Sequence, residues 1–299
     1  MRRNEGKMIY SIRNEQLQVS VETRGGSLWS IQDNENTEYL WQGDPKYWGD
    51  RAPNLFPYIA RLTEGKYLLD GTIYHMDIHG FIKDCDLQVK EQRADSLCLY
   101  MKDTPQTYRQ YPYRFSYEIH YCLHEKKLRV TYHVENLDEK TMYFGIGGHP
   151  GFQVPLEEGL AFEDYYLQFP DSNGIHKVGM TSDCFVNGKR EVFSLEEGRV
   201  LPLKHTLFDD DAIILDQIPK QVSLLAQNGR KGICVSFPQM RYLGLWHKPK
   251  SDAPYLCIEP WSSLPSRKDV VEDLAKQEDL ISLESHKSYD NQWEIEILS

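Results

Sequence analysis

No stretch of the chain comes near the roughly 18 consecutive apolar residues of a membrane-spanning helix, so no membrane partner is expected. A basic face is also missing. Lys and Arg number 34 against 45 Asp and Glu, a net charge of -11 that disfavours nucleic-acid phosphate as a ligand. The cysteines at 85, 98, 122, 184, 234 and 257 contain no Cys-x-x-Cys pair. Runs such as Tyr121-Cys-Leu123 and Ile233-Cys-Val235 predict small apolar core residues, and the six are expected as reduced thiols rather than disulfides or zinc ligands. Neither His-x-His nor His-Glu-x-x-His occurs. His75 and His79 share helix-like spacing, but Thr72 to Asp77 reads as extended, so no metal site is expected. Residues 1–7 lack the apolar core of a signal peptide and are expected to be a flexible N-terminal extension of a cytoplasmic protein. Without an internal repeat, low-complexity tract or Pro/Gly/Ser linker, residues 1–299 are expected to form a single domain.

What is present is enough for a large core: 40% hydrophobic residues, with 19 Tyr and 6 Trp. Its period is two. Leu17, Val19 and Val21 alternate with polar residues, Gly25-Gly26 makes a turn, and 27–32 continues as the second arm of a hairpin. Phe115, Tyr117, Ile119, Tyr121 and Leu123 alternate likewise, and after His124 to Lys127 so do Leu128, Val130, Tyr132 and Val134, a second hairpin. Further short strands are predicted at 86–92, 96–101, 141–146, 165–169, 212–216, 221–226, 232–237, 242–247 and 292–298. Residues 43–57, rich in Pro, Gly and aromatics, read as a long ordered loop of the kind that carries function. Only Ser266 to Leu280 reads as helix, with Ser266 and Asp269 in capping positions. The expectation is an all-β sandwich or barrel with very little helix.

Four charged or titratable residues stand out by their settings. Tyr255-Leu-Cys-Ile-Glu259-Pro-Trp261 reads as a strand buried on both faces with a carboxylate at its end, and an ionised Glu there needs compensation. Two readings fit it: a structural ion pair with a buried Arg, or a general base tuned by burial. His149 lies in Gly147-Gly-His-Pro-Gly151, where sparse side-chain bulk lets a ligand approach closely. His79, in Ile78-His-Gly-Phe81, again has Gly beside it. Each fits a turn histidine satisfied by backbone groups as well as a site residue. Arg61 follows the apolar run Leu55 to Ala60 and, taken alone, fits a structural pair with a carboxylate.

Together these segments resemble the aldose 1-epimerase (galactose mutarotase) superfamily, and within it the LacX-like branch. The resemblance runs in order through Asn54-Leu-Phe-Pro-Tyr-Ile-Ala-Arg-Leu62, His79-Gly-Phe-Ile-Lys-Asp84, Gly147-Gly-His-Pro-Gly-Phe152, Phe208-Asp-Asp-Asp-Ala-Ile-Ile-Leu215, Leu243-Gly-Leu-Trp246 and Cys257-Ile-Glu-Pro-Trp261. It implies a large antiparallel β-supersandwich of the galactose mutarotase-like kind, with a sugar cleft on one sheet. It makes Glu259 the general base and His149 the general acid, with His79 and Arg61 positioning the sugar. Asp211 is matched to an acid that holds a ring hydroxyl, with Asp209 and Asp210 leaving the register open, and Trp246 would stack on the sugar. The setting of His149 and the Lys83 after His79-Gly-Phe81 belong to the divergent branch, so the family's galactose preference does not carry over.

Ring opening needs a base for the anomeric hydroxyl and an acid for the ring oxygen, and reclosure reverses the roles, a task suited to a Glu and a His. It requires neither a cofactor nor a metal. The expected activity is therefore isomerisation of a free aldohexose between its α and β anomers, with a small-molecule sugar as partner. A hexose-6-phosphate 1-epimerase, using Arg61, Lys83 and Arg241 on phosphate, and a non-catalytic carbohydrate-binding or sensing protein are the competing readings.

Overall fold

The computed structural model describes residues 8–170 and 174–299. The expected N-terminal extension at 1–7 lies outside the described residues. Two sheets dominate. The nine-stranded one runs in the order Val200–Pro202, Tyr165–Gln168, Gln221–Ala226, Gly232–Ser236, Ser288–Leu298, Lys127–Asn136, Phe115–His124, Ser96–Lys102 and Gln88–Gln92. The eight-stranded one runs Val186–Val192, His176–Met180, Ile213–Asp216, Tyr242–Trp246, Tyr255–Trp261, Gly147–Gly148 and Asn54–Leu55, with Gly151–Gln153 also paired to Tyr255–Trp261. Every pairing between named strands is antiparallel, and the two sheets form the all-β sandwich expected from the sequence.

The alternation in Phe115–His124 and Lys127–Asn136 becomes a hairpin closed by Glu125-Lys126, with Ile119 opposite Tyr132. Tyr117, Ile119, Tyr121, Val130, Tyr132 and Val134 face the core and are almost fully buried. The earlier hairpin forms too, Leu17–Glu22 against Leu28–Asp33, with a third strand, Ile9–Arg13, beside it. The main hydrophobic cluster draws on side chains from Ile12 to Ile297.

Two sequence expectations fail here. Residues 266–280 form no helix; turns and isolated bridges run through the segment, and Asp269 has φ +58°. Its polar groups are claimed from elsewhere in the chain: the Ser266 N–H donates to Arg61 O, Ser266 O accepts from Val186 N–H, and Lys268 N–H donates to Val186 O. Tertiary bonds thus outcompete a weak local helical preference. Among the described residues the α-helix that does form is Pro105–Gln110, capped by Thr104 with Pro at its start. The cysteines are all free, yet only Cys98, Cys234 and Cys257 are buried. Cys122 is exposed because it falls on the outward-facing register of its strand, while Cys85 and Cys184 are half-buried.

Candidate active site

The strand Tyr255–Trp261 divides its side chains between two environments. Leu256 and Ile258 enter the main core, whereas Tyr255, Cys257, Glu259 and Trp261 project from the opposite face of the sheet. That outer face is covered by Trp41, Tyr47 and Trp48 from the 43–57 loop and its entry, and by Trp246 of the adjacent strand. The whole strand is buried in consequence, and Glu259 is only 1% exposed. Gly244 lies opposite Glu259 in the ladder, so little bulk crowds the carboxylate from that side.

His149 reaches the same place from the end of Gly147–Gly148. Its Nε2 lies 3.2 Å from Glu259 Oε2, too poorly aligned for a hydrogen bond: Glu259 Oε2 and His149 Nδ1 are both buried without a hydrogen-bond partner among the described residues. Trp48 packs on the His149 ring at 4.9 Å between centroids, and His79 meets it edge-on at 5.3 Å. The glycines before His149 serve the protein rather than a ligand. A Cβ on Gly148 would stand 2.7 Å from the Trp293 ring, so the absent bulk is what lets this strand close on the core.

The backbone fixes the orientation of His79. Its Nδ1 accepts the Ala60 N–H at 3.1 Å while its own N–H donates to Ala60 O at 3.0 Å. With Nδ1 an acceptor, the neutral ring carries its proton on Nε2 and offers an N–H. Gly80, at φ +72°, makes the tight approach possible, since a Cβ there would lie 2.2 Å from Phe56 O. Phe56 O in turn accepts the N–H groups of Phe81 and Ile82, which ties the 54–61 segment to 79–82.

A cavity of about 320 Å³ opens over these groups, and Glu259, His149, His79, Arg61, Asp211 and Trp246 all line it. Every site residue expected from the sequence is therefore brought to one place. Of the three adjacent acids, Asp210 and Asp211 reach the wall and Asp209 does not. Asp211 is half-buried; its Oδ1 accepts the Ala212 N–H at 2.8 Å and its Oδ2 meets the Cys184 thiol at 3.1 Å. Arg61 is exposed at the rim. Lys83, also at the wall, is paired with Asp84 at 2.6 Å. Sequence reasoning did not single out Trp48, Cys184 or Asp50. The aromatic content of the 43–57 loop was the available signal for the first.

Burial sets the electrostatics. It pushes the Glu259 carboxyl well above the usual range, with the negative Asp211 adding to the effect and the Trp261 indole opposing it. It pulls His149 down to about 3. His79 is also held well below its ordinary value by burial, with His149, Lys83 and Arg61 nearby reinforcing the shift. No Arg or Lys among the described residues pairs with Glu259, whose close partner is His149. Burial thus favours the uncharged form of each group.

A two-sheet antiparallel sandwich with an open cleft on one sheet is the architecture of galactose mutarotase-like proteins. The sequence profile of the aldose 1-epimerase family matches residues 8–273, and the chain belongs to that family. It is similar to the chromosomal and plasmid forms of protein LacX of Lactococcus lactis subsp. lactis, each 34% identical over 301 residues, covering 95% of this chain and 98% of the relative. Among solved structures it resembles a galactose mutarotase related enzyme from Lactobacillus acidophilus, with TM-score 0.93, 29% identity and 98% of both chains covered. It also resembles a galactose mutarotase-like protein from Lactobacillus casei, with TM-score 0.92, 28% identity, and 97% of this chain and 100% of that one covered.

Proposed function

We propose that this protein is a mutarotase that interconverts the α and β anomers of a free aldohexose, with Glu259 and His149 as the acid–base pair. The observation that carries the reading is the approach of a 1%-exposed carboxylate to a buried imidazole at 3.2 Å within a sugar-sized cleft. Sugar binding passes the Glu259 proton to His149, so that in the ring-closed complex Glu259 is the carboxylate that takes the anomeric hydroxyl proton and His149 is the imidazolium that protonates the ring oxygen. Opening leaves a carboxylic acid and a neutral imidazole, the same pair that burial favours in the free site. The open-chain complex is thereby stabilised relative to the closed one, which lowers the cost of the unfavourable half of the cycle. After rotation about the C1–C2 bond presents the other face of the aldehyde, His149 removes the proton from the former ring hydroxyl and Glu259 returns one to the aldehyde oxygen.

The remaining residues position the sugar. His79 offers its Nε2–H, Asp211 a carboxylate for a ring hydroxyl, Arg61 a charged donor at the rim, and Trp246 an indole face for the apolar side of the ring. The chain acts as one domain, a reading supported by a core that joins residues from Ile12 to Ile297.

One observation favours the phosphorylated alternative: Lys83 and Arg61 both line the cavity. They are outweighed. Asp50, Asp210 and Asp211 line it as well, and Lys83 is already paired with Asp84. A neutral sugar is therefore the preferred substrate. Anomeric exchange followed by NMR on glucose, galactose and glucose 6-phosphate decides the matter. The neutral hexoses should exchange faster; a tenfold or greater advantage for the phosphate that shrinks with added salt reverses the assignment.

A further inference from the structure

A second cluster of reactive side chains sits on the outer face of the nine-stranded sheet and shares no residue with the cleft. Glu118 and His120, two apart on Phe115–His124, point to the same side, and strand pairing sets Cys98 directly opposite His120. Cys98 Sγ lies 3.5 Å from His120 Nε2, which lies 3.1 Å from Glu118 Oε2; the sulfur is 3.7 Å from that same oxygen. Cys98 is 5% and Glu118 7% exposed.

We propose that Cys98, Glu118 and His120 form a zinc site. A tetrahedral zinc with a thiolate at about 2.3 Å, an imidazole nitrogen at about 2.0 Å and a carboxylate oxygen at about 2.1 Å needs its donors about 3.5 Å (S to N), 3.3 Å (N to O) and 3.6 Å (S to O) apart. The observed triangle meets each of these edges to within about 0.2 Å. The three donor atoms therefore already stand at the spacing the cation requires. Glu118 is already oriented for a single-oxygen bond, because Lys90 holds Oε1 and leaves Oε2 to face the sulfur and the imidazole. Thiolate, imidazole and carboxylate together suit zinc, whereas calcium and magnesium call for oxygen throughout.

Glu118 and His120 line a concavity together with Lys90, His133 and Asp290, from which a water would complete the shell. His133 is bonded to Asp290 at 2.8 Å and is not counted as a ligand. Binding forms a zinc–sulfur bond and releases the thiol proton to solvent; no electron is transferred. Because the donors come from two paired strands, the ion clamps Ser96–Lys102 to Phe115–His124 and acts as a structural cross-link outside the acid–base chemistry.

The test is zinc binding to metal-stripped full chain by competition with a chromophoric chelator, together with the absorption spectrum of the cobalt(II) form. One zinc per chain is expected, with affinity reduced by more than about tenfold in Cys98→Ser and in His120→Ala. Binding should be unchanged in Cys122→Ser and Glu259→Gln. The cobalt form should show a thiolate-to-metal charge-transfer band that disappears with Cys98→Ser. Should Cys98→Ser fold poorly, His120→Ala decides alone, since that side chain is 43% exposed. Absence of zinc binding, binding that survives Cys98→Ser or His120→Ala, or binding lost only in Glu259→Gln, which would locate the ion in the cleft, each overturns the proposal.

Discussion

Asp33 and Glu259 are both carboxylates withdrawn from water, and the fold treats them in opposite ways. Asp33, at the end of Leu28–Asp33, accepts the backbone N–H groups of Glu35 and Thr37, the Tyr39 hydroxyl, and the Lys231 ammonium at 3.1 Å. Burial alone would raise its pKa, but these donors together hold it below the ordinary value. Glu259 is deeper, has an oxygen with no hydrogen-bond partner among the described residues, and is held well above the ordinary range. A buried carboxylate that stabilises a turn is saturated with donors. One left unsaturated beside a cavity is available to a substrate, and the protein carries its desolvation cost.

The largest effect expected from this contrast is on turnover. Glu259→Gln should lower the anomeric exchange rate by about 10²–10⁴-fold while sugar affinity stays within about tenfold, because the amide keeps shape but cannot take the proton. Saturation-transfer NMR for rate and calorimetry for affinity would separate the two, and a folded, fully active variant would return Glu259 to a structural role. Next in size, Asp33→Asn should cost about 1–3 kcal/mol at neutral pH by losing charge-assisted bonds, with exchange kinetics of the folded protein unchanged. The Asp33 contribution is present above its unfolded pKa and is lost as pH falls through the depressed folded value. Urea denaturation of variant and wild type should therefore converge at acid pH.

The smallest effect is the most diagnostic. A carboxyl whose folded pKa is raised contributes stability below its unfolded value and loses it as pH rises toward the folded one. Glu259→Gln should thus flatten the decline in stability above about pH 4.5, the opposite sign to Asp33→Asn. Identical pH slopes in the two variants would remove the distinction drawn between these carboxylates.

Much of this was legible in the chain because water enforces alternation wherever one face of a strand is wet. The hairpin Phe115–His124 and Lys127–Asn136 carries that imprint in full. The strand Tyr255–Trp261 was legible for another reason, a charge where continuous burial predicts none. The residues later found in the cleft were named through ordered motifs, since nothing local says that Arg61 and Glu259 share a wall. The segment 266–280 departs from its helical pattern because Ser266 and Lys268 bond to Arg61 and Val186, and Glu272 and Leu274 to Leu68, partners that no local window contains. The helix Pro105–Gln110 carries its cap and its Pro in its own residues, whereas the role of Gly148 depends on the distant Trp293.

The strand Ser288–Leu298 lies between Gly232–Ser236 and Lys127–Asn136, in the middle of the long sheet. During synthesis this has a directional consequence. Until residues 288–298 leave the ribosome, the two halves of that sheet each present an unpaired edge, at Gly232–Ser236 and at Lys127–Asn136. The nascent chain must hold two sticky borders apart while it waits for its keystone. Joining them closes loops of great length, a slow step for a protein whose pairings are mostly non-local. Premature termination anywhere before residue 288 should accordingly yield aggregates rather than a truncated soluble fold, an outcome that sedimentation of stalled and released chains would reveal.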